Sequence, residues 1–364
     1  MSDIHYSRNR NLDLVRALAI TLVVISHGVE QSPVSLPWLL CISYYGQYGV
    51  DLFFVLSGWL IGGLYWREKR ALGNVLVSHF WLRRWMRTLP PYFAALTVSW
   101  IAVYLSRGET FDFGYLVFIQ NYYERIPYFL VSWSLAVEEH FYLLLPLVIV
   151  LWKPSSNVNM ASFAFLTILL VAPVSRYLTY SDGTVPFGYS ATATHLKMEG
   201  LILGLWLSYM LVERPQSLRV LMRVSPYGIL ISALMLTGIA LIGGRTEYVL
   251  WGTVMAVFFS AVLLCVVSQK EIGIGVARYL VQPLALASYS IYLTHAWSIK
   301  IARRLVDRMP DEFAGAYFPI AFVIIGIVAL PFYYWIERTS IRIRDQYWPR
   351  RAPDLSKHPA AVAG

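Results

Sequence analysis

Arg16 and His27 stand with ten residues between them in an otherwise apolar stretch, LDLVRALAITLVVISHGVE over residues 12–30. On an α-helix that spacing is about three turns, so both side chains leave one side, roughly 16 Å apart along the axis. One can lie at a membrane surface while the other lies deeper. Ionisable side chains inside a bilayer are costly and face a bundle interior or a wet cavity, which makes both residues candidates for function. Asp13, three residues before Arg16, shares its face and can pair with it. The chemistry on offer is a histidine able to act as a base near neutral pH and an arginine able to hold a carboxylate or phosphate.

Three further stretches carry polar groups in apolar surroundings. In GQYGVDLFFVLSGWLIGG, residues 46–63, Asp51 lies at or within an apolar run and Ser57 precedes Gly58 at a place where a helix can bend. Packing accounts for Gly49, Gly58 and Gly62, because glycines let helices approach closely. In VSWSLAVEEHFYLLLPLVIVLW, residues 131–152, Ser134, Glu138 and Tyr142 repeat every four residues and place a hydroxyl, a carboxylate and a phenol on one helix face. Glu139 and His140 point elsewhere and are accounted for by a water interface. In ATATHLKMEGLILGLW, residues 191–206, His195 and Glu199 stand at i and i+4 and read as a hydrogen-bonded pair, with Lys197 beside them. Two ligands are too few for a zinc site, and no metal is expected. His295, in SYSIYLTHAWS, has the residue type and surroundings of a packed histidine.

Arg83, Arg84 and Arg87 form a cationic collar just before Pro90 and Pro91. Topology and attraction to anionic lipid explain such a collar. So does phosphate binding, since guanidinium groups make paired hydrogen bonds with phosphate oxygens. A donor such as coenzyme A would use it.

These residues must be positioned by membrane helices. Of the 364 residues 57% are hydrophobic and 14% charged, against about 25% charged in a soluble domain. A membrane span needs about 20 apolar residues. Ten candidates centre near residues 21, 56, 97, 142, 169, 203, 235, 258, 290 and 326. Long apolar runs favour helices over a barrel, whose strands alternate every second residue. The expected fold is therefore all-α and polytopic, with about ten transmembrane helices and both termini cytoplasmic. The net charge of +9 does not point to nucleic acid, because Lys and Arg collect in alternate short loops as the positive-inside rule describes. The exception is Lys300, Arg303, Arg304 and Arg308, which that topology leaves outside, where they can face an anionic substrate.

Residues 1–348 read as one membrane domain, and 349–364, with three prolines, as a disordered cytoplasmic tail. No cleavable leader is expected, so the first helix serves as a retained anchor. Cys41 and Cys265 are isolated and carry no metal or redox spacing.

Seven segments in this order resemble the acyltransferase 3 family of integral membrane O-acyltransferases: Arg16 with His27, GVDLFFVLSGWLIG, RRWMRTLPPY, WSLAVEEHFYLLLP, THLKMEGLILG, SYSIYLTH and IERTSIRIR. The resemblance covers roughly residues 10–345. Lys197 stands where relatives often show arginine, and Glu199 where they often show aspartate. The resemblance implies a multi-pass protein of the cell membrane that takes an acyl group, most often acetyl, from cytoplasmic acetyl-CoA or another acyl-CoA. It delivers the group to a hydroxyl of a sugar in a glycan or glycoside. Some relatives carry an additional extracytoplasmic hydrolase-like domain; this chain is expected to lack one and to reach its acceptor directly.

Acyl transfer to an alcohol needs a base and a donor to the oxyanion. His27 is the expected base, with Glu138 as the carboxylate that would fix its tautomer across a helix contact, as the acid does in serine hydrolase triads. Arg16, Arg83, Arg84 and Arg87 are the expected donor-binding residues. Asp51, Ser57, Ser134, Tyr142, His195, Lys197, Glu199 and His295 are expected to bind the acceptor or support the site. Partners are the acceptor and membrane lipid, and the oligomeric state is open. The competing class is a proton-coupled secondary transporter, since buried Glu, His, Arg and Asp also build proton relays. Against it stands the absence of an evident internal repeat. A structural scaffold is the third reading, and it would tolerate loss of His27.

Overall fold

The computed structural model describes residues 9–34, 37–152, 158–180, 189–270 and 275–351. It is 86% helical, and among the described residues there is no strand. Fourteen α-helices follow one another: α1 (Arg10–Glu30), α2 (Pro37–Gly46), α3 (Gly49–Leu72), α4 (Val77–Arg107), α5 (Ser132–Trp152), α6 (Val158–Leu169), α7 (Val171–Thr179), α8 (Tyr189–Thr192), α9 (Glu199–Glu213), α10 (Pro215–Ile242), α11 (Gly244–Ser268), α12 (Gly275–Val306), α13 (Tyr317–Phe332) and α14 (Arg338–Tyr347).

Each of the ten expected span centres falls in a helix. Seven helical segments among the described residues are long and apolar enough to cross a membrane: 10–30, 37–72, 77–107, 159–179, 215–242, 244–268 and 311–347. The remaining three centres lie in α5, α9 and α12. Those helices carry more polar residues or, as in α9 with its 15 residues, fewer turns. The chain is an integral membrane protein.

Local sequence explains the helix ends. Asn9 caps α1, its side-chain oxygen accepting from the backbone N–H of Asn11 at 2.9 Å and of Leu12, which satisfies donors the first turn leaves open. Gly108 ends α4 at φ +70°, a left-handed conformation that favours glycine. Between α13 and α14 the residues Tyr333–Glu337 form a π turn, a wider turn that commonly marks functional sites.

The tightest helix contact joins α3 to α9. Gly58 and Gly62 on α3 and Gly200 and Gly204 on α9 each repeat at four residues. A Cβ added at Gly58 would run into the Leu201 carbonyl, and one at Gly204 into that of Val55. Small residues at this spacing let two backbones touch, which replaces the missing hydrophobic drive in lipid with close packing. The packing role expected for Gly58 and Gly62 is thus met. The core divides into two main clusters: one around Leu56, Trp59, Trp66 and Tyr142, with residues of α3, α5 and α9, the other around Ile20, Phe54, Tyr92 and Leu293, with residues of α1, α3, α4 and α12.

Tertiary hydrogen bonds fix which helix ends lie together. The Asn11 amide donates to the Val266 and Gln269 carbonyls at 3.0 and 2.9 Å, Arg70 donates to the Val212 carbonyl, and Arg351 pairs with Glu68 at 3.1 Å. The start of α1, the ends of α3, α9 and α11 and the segment after α14 therefore meet at one end of the bundle, which is rich in arginine. At the opposite end Arg303 donates to the Gln31 carbonyl at 3.2 Å and Tyr317 to that of Gly28 at 2.9 Å. The Arg303 to Arg308 group is thus remote from the main arginine-rich end. The tail expected from Pro349 lies, from residue 352 onward, outside the described residues, and residues 349–351 lie against α3 and α4.

Candidate functional site: an arginine-lined cavity and a histidine pair

A cavity of about 250 Å³ opens at the arginine-rich end, lined by Arg16, Arg84, Arg87 and Arg350, by Ser57, Thr88, Ser134 and Ser288, by Glu138, Tyr289 and Tyr292, and by an apolar wall from α3. The expected stripe on α5 is real. Ser134 and Glu138 both face the cavity, and Tyr142, one turn further, is fully buried with its hydroxyl donating to Glu138 Oε2 at 2.7 Å. Because that proton is committed, the phenol oxygen accepts from Ser57 and from Arg84. The Arg84 guanidinium also lies 4.0 Å over the Tyr142 ring and 3.6 Å from Glu138. Four residues from three helices thereby hold one another in place through a shared polar network.

Arg87 has no hydrogen-bond partner among the described residues, and Arg16 pairs with Asp13 at 3.0 Å as its spacing suggests. The cavity lining thus carries four guanidinium groups, of which Arg16 pairs with Asp13 and Arg84 with Glu138; guanidinium is the side-chain group best shaped for paired hydrogen bonds to carboxylate or phosphate oxygens.

The second half of the site is at the far end of α1. His27 Nδ1 lies 2.8 Å from His295 Nε2, and His295 Nδ1 lies 2.7 Å from the Tyr292 carbonyl. A carbonyl only accepts, so His295 carries its proton on Nδ1 and presents an unprotonated Nε2 to His27. His27 must then donate through Nδ1–H, which leaves the lone pair on its Nε2. His295 is fully buried, whereas His27 is partly accessible. Tyr292 joins the two halves: it lines the cavity, its hydroxyl lies 2.5 Å from Ser134 Oγ, and its ring centroid is 5.7 Å from that of His295.

Several expectations are corrected. Glu138 does not meet His27. It pairs with Arg84 and Tyr142, and the residue that meets His27 is His295. His195 and Glu199 do not form an i, i+4 pair, because Thr194–Leu196 is a 3-10 turn and α9 begins only at Glu199. Glu199 pairs with Arg176, and Thr253 bridges them, accepting from the arginine at 2.8 Å and donating to the carboxylate at 2.9 Å. Neither Lys197 nor His195 lines the cavity; the His195 ring stacks on that of Tyr122, centroids 6.0 Å apart. Arg83 turns its guanidinium to Asp345 at 3.2 Å and to the Trp348 carbonyl, not into the cavity. Glu139 is not at a water interface, whereas His140 is half-buried. Glu139 is buried and accepts from Thr88 at 2.7 Å, and His140 Nδ1 lies 2.6 Å from the Thr194 hydroxyl.

Sequence reasoning passed over Arg350, Arg176, Tyr289 and Tyr292. For Tyr292 a signal existed, since it lies three residues before His295 and hence on the same helix face. Arg350 offered none.

A family model described as an acyltransferase domain matches residues 9–338. Among characterised proteins the chain is similar to the O-acetyltransferase OatA of Staphylococcus aureus strain NCTC 8325, at 25% identity over 312 residues, covering 78% of this chain and 49% of the relative. A putative O-acetyltransferase of S. aureus strain COL is 26% identical over 310 residues, with the same coverage on both sides. The chain spans about half the length of these curated relatives. No solved structure matches it.

Proposed function

Because the chain belongs to the acyltransferase 3 family, we propose that it moves an acyl group, acetyl in the simplest case, from acyl-CoA to a hydroxyl of a sugar in an exported glycan or glycoside. The observation that carries this reading is the division of α1 between an arginine-lined cavity at one end and an oriented histidine at the other. The positive-inside rule assigns the arginine-rich end to the cytoplasm, where acyl-CoA is found. Arg84 and Arg87 hold the donor's phosphates, Arg16 guides the pantetheine arm inward, and the thioester passes Tyr292 toward His27.

In the transfer step the acceptor hydroxyl gives its proton to His27 Nε2 while its oxygen attacks the thioester carbonyl carbon. The carbon–sulfur bond then breaks, and the departing thiolate takes the proton back from His27. Throughout, His27 Nδ1–H stays donated to His295, so the imidazolium is formed in one orientation. That is the service an aspartate gives in serine hydrolase triads, supplied here by a neutral histidine anchored on a carbonyl. Glu138 acts one step removed, holding Arg84 and Tyr142 for the donor.

Mass spectrometry of glycans and small glycosides from cells carrying the intact protein, beside His27→Ala at matched membrane levels, tests the reading. An acyl mass increment present with the intact protein and lost in the variant is expected. Survival of the increment in the variant would remove His27 as the base. His295→Ala, which frees the His27 tautomer, should lower the transfer rate by up to about 10⁴-fold, the loss seen when a triad's orienting acid is replaced.

A further inference from the structure

The cavity's fourth guanidinium does not come from a membrane helix. Arg350 lies in the short segment after α14, and the residues on either side of it are tied down to α3 and α4. Arg83 donates to the Trp348 carbonyl and pairs with Asp345 at 3.2 Å. His79 Nε2 lies 3.1 Å from the Pro349 carbonyl, to which it donates. Arg351 donates to Glu68 Oε1 at 3.1 Å. The anchors sit on α3 and α4, and they leave the Arg350 side chain to line the cavity with Arg84 and Arg87.

We propose that residues 348–351 form a strap over the phosphate end of the acyl-CoA site, that Arg350 is a donor-binding residue, and that Arg83 holds the strap and not the donor. The proposal rests on the acyl-CoA reading above. Its physical basis is charge. Guanidinium groups delivered to one small cavity by α4 and by the strap repel one another, and a phosphate between them turns that repulsion into attraction. Strap closure and donor binding therefore favour each other, and by linkage each anchor that holds the strap raises donor affinity without touching the donor. The arrangement also explains why Arg83, the first arginine of the collar, faces away from the cavity its neighbours line.

The test is binding of acetyl-CoA, and of S-acetylpantetheine as the phosphate-free probe, to the full-length protein in lipid nanodiscs. Arg350→Gln should weaken acetyl-CoA about 10- to 100-fold and leave S-acetylpantetheine unchanged. Glu68→Gln, which loosens one anchor and leaves the cavity lining intact, should weaken acetyl-CoA several-fold. Combining Arg83→Gln with Arg350→Gln should cost no more than Arg350→Gln alone, because both act through the strap. Losses that add would make Arg83 a direct ligand and overturn its assigned role. Wild-type affinity in Arg350→Gln and Glu68→Gln, each with an unchanged thermal transition, would overturn the strap and leave the acyl-CoA reading standing. A wild-type protein that binds neither probe would remove both.

Discussion

Among the described residues two arginine–glutamate pairs, Arg176–Glu199 and Arg84–Glu138, lie within the helical bundle, and their surroundings separate them. Arg176 and Glu199 have side chains 4% and 3% exposed. Thr253 and the Leu196 carbonyl add further hydrogen bonds, and Gly252 leaves the room the guanidinium occupies. Arg84 and Glu138 are 17% and 15% exposed, and both line the cavity. Their network closes through Tyr142 and Ser57 on the protein side and stays open on the other. The same two residue types thus make a sealed cross-brace between α7 and α9 in one place and the wall of a binding site in the other. A buried charge pair is by itself no sign of function; what sets the second pair apart is its open face on a cavity that further arginines line.

The comparison can be broken in four ways. Arg176→Ala leaves a carboxylate unpaired in a sealed site and should cost about 3–5 kcal/mol. That is much of the stability of an ordinary domain, so loss of the monodisperse folded protein in size-exclusion chromatography is expected. Glu138→Gln should keep the folded fraction and the thermal transition and lower acyl transfer by about 10²-fold, or about 2.7 kcal/mol of barrier, measured with acetyl-CoA and the identified acceptor. A drop in stability equal to that of Arg176→Ala would erase the distinction. Replacing the sealed pair by apolar residues of similar size, Arg176→Met with Glu199→Leu, should recover most of the stability lost in the single variant and retain transfer activity; loss of activity in a well-folded double variant would give that pair a functional role. The smallest effect is expected for Thr253→Val, about 1 kcal/mol for the bridging hydroxyl, read as a shift of the thermal transition at unchanged activity.

What the sequence made legible followed from local periodicity. The Asp13–Arg16 pair, the Ser134, Glu138 and Tyr142 face, the helix centres and the packing glycines all depend on spacings within one helix. Contacts between distant parts of the chain were not legible. The His27–His295 pair spans 268 positions, and His295 looked like a packed histidine because its partner is invisible from its own neighbourhood. The expected bond between His195 and Glu199 failed because the helical spacing was applied across a turn that precedes the helix. Arg176 was overlooked as a lone arginine in an apolar stretch, although a charge there demands a partner. Arg350 sat in a segment whose composition suggested disorder, and only its place over the cavity gives it meaning.

The π turn at Tyr333–Glu337 sets the rotational phase of everything after it. Through it Glu337 reaches the Ser290 hydroxyl, which donates to it at 2.6 Å, and α14 presents Asp345 to Arg83. Deleting one residue from the turn would rotate α14 by about 100° relative to α13 and carry Asp345 off its partner. The turn is therefore a phase key: a one-residue change in length there would part Asp345 from Arg83 and remove one of the contacts that hold the segment carrying Arg350.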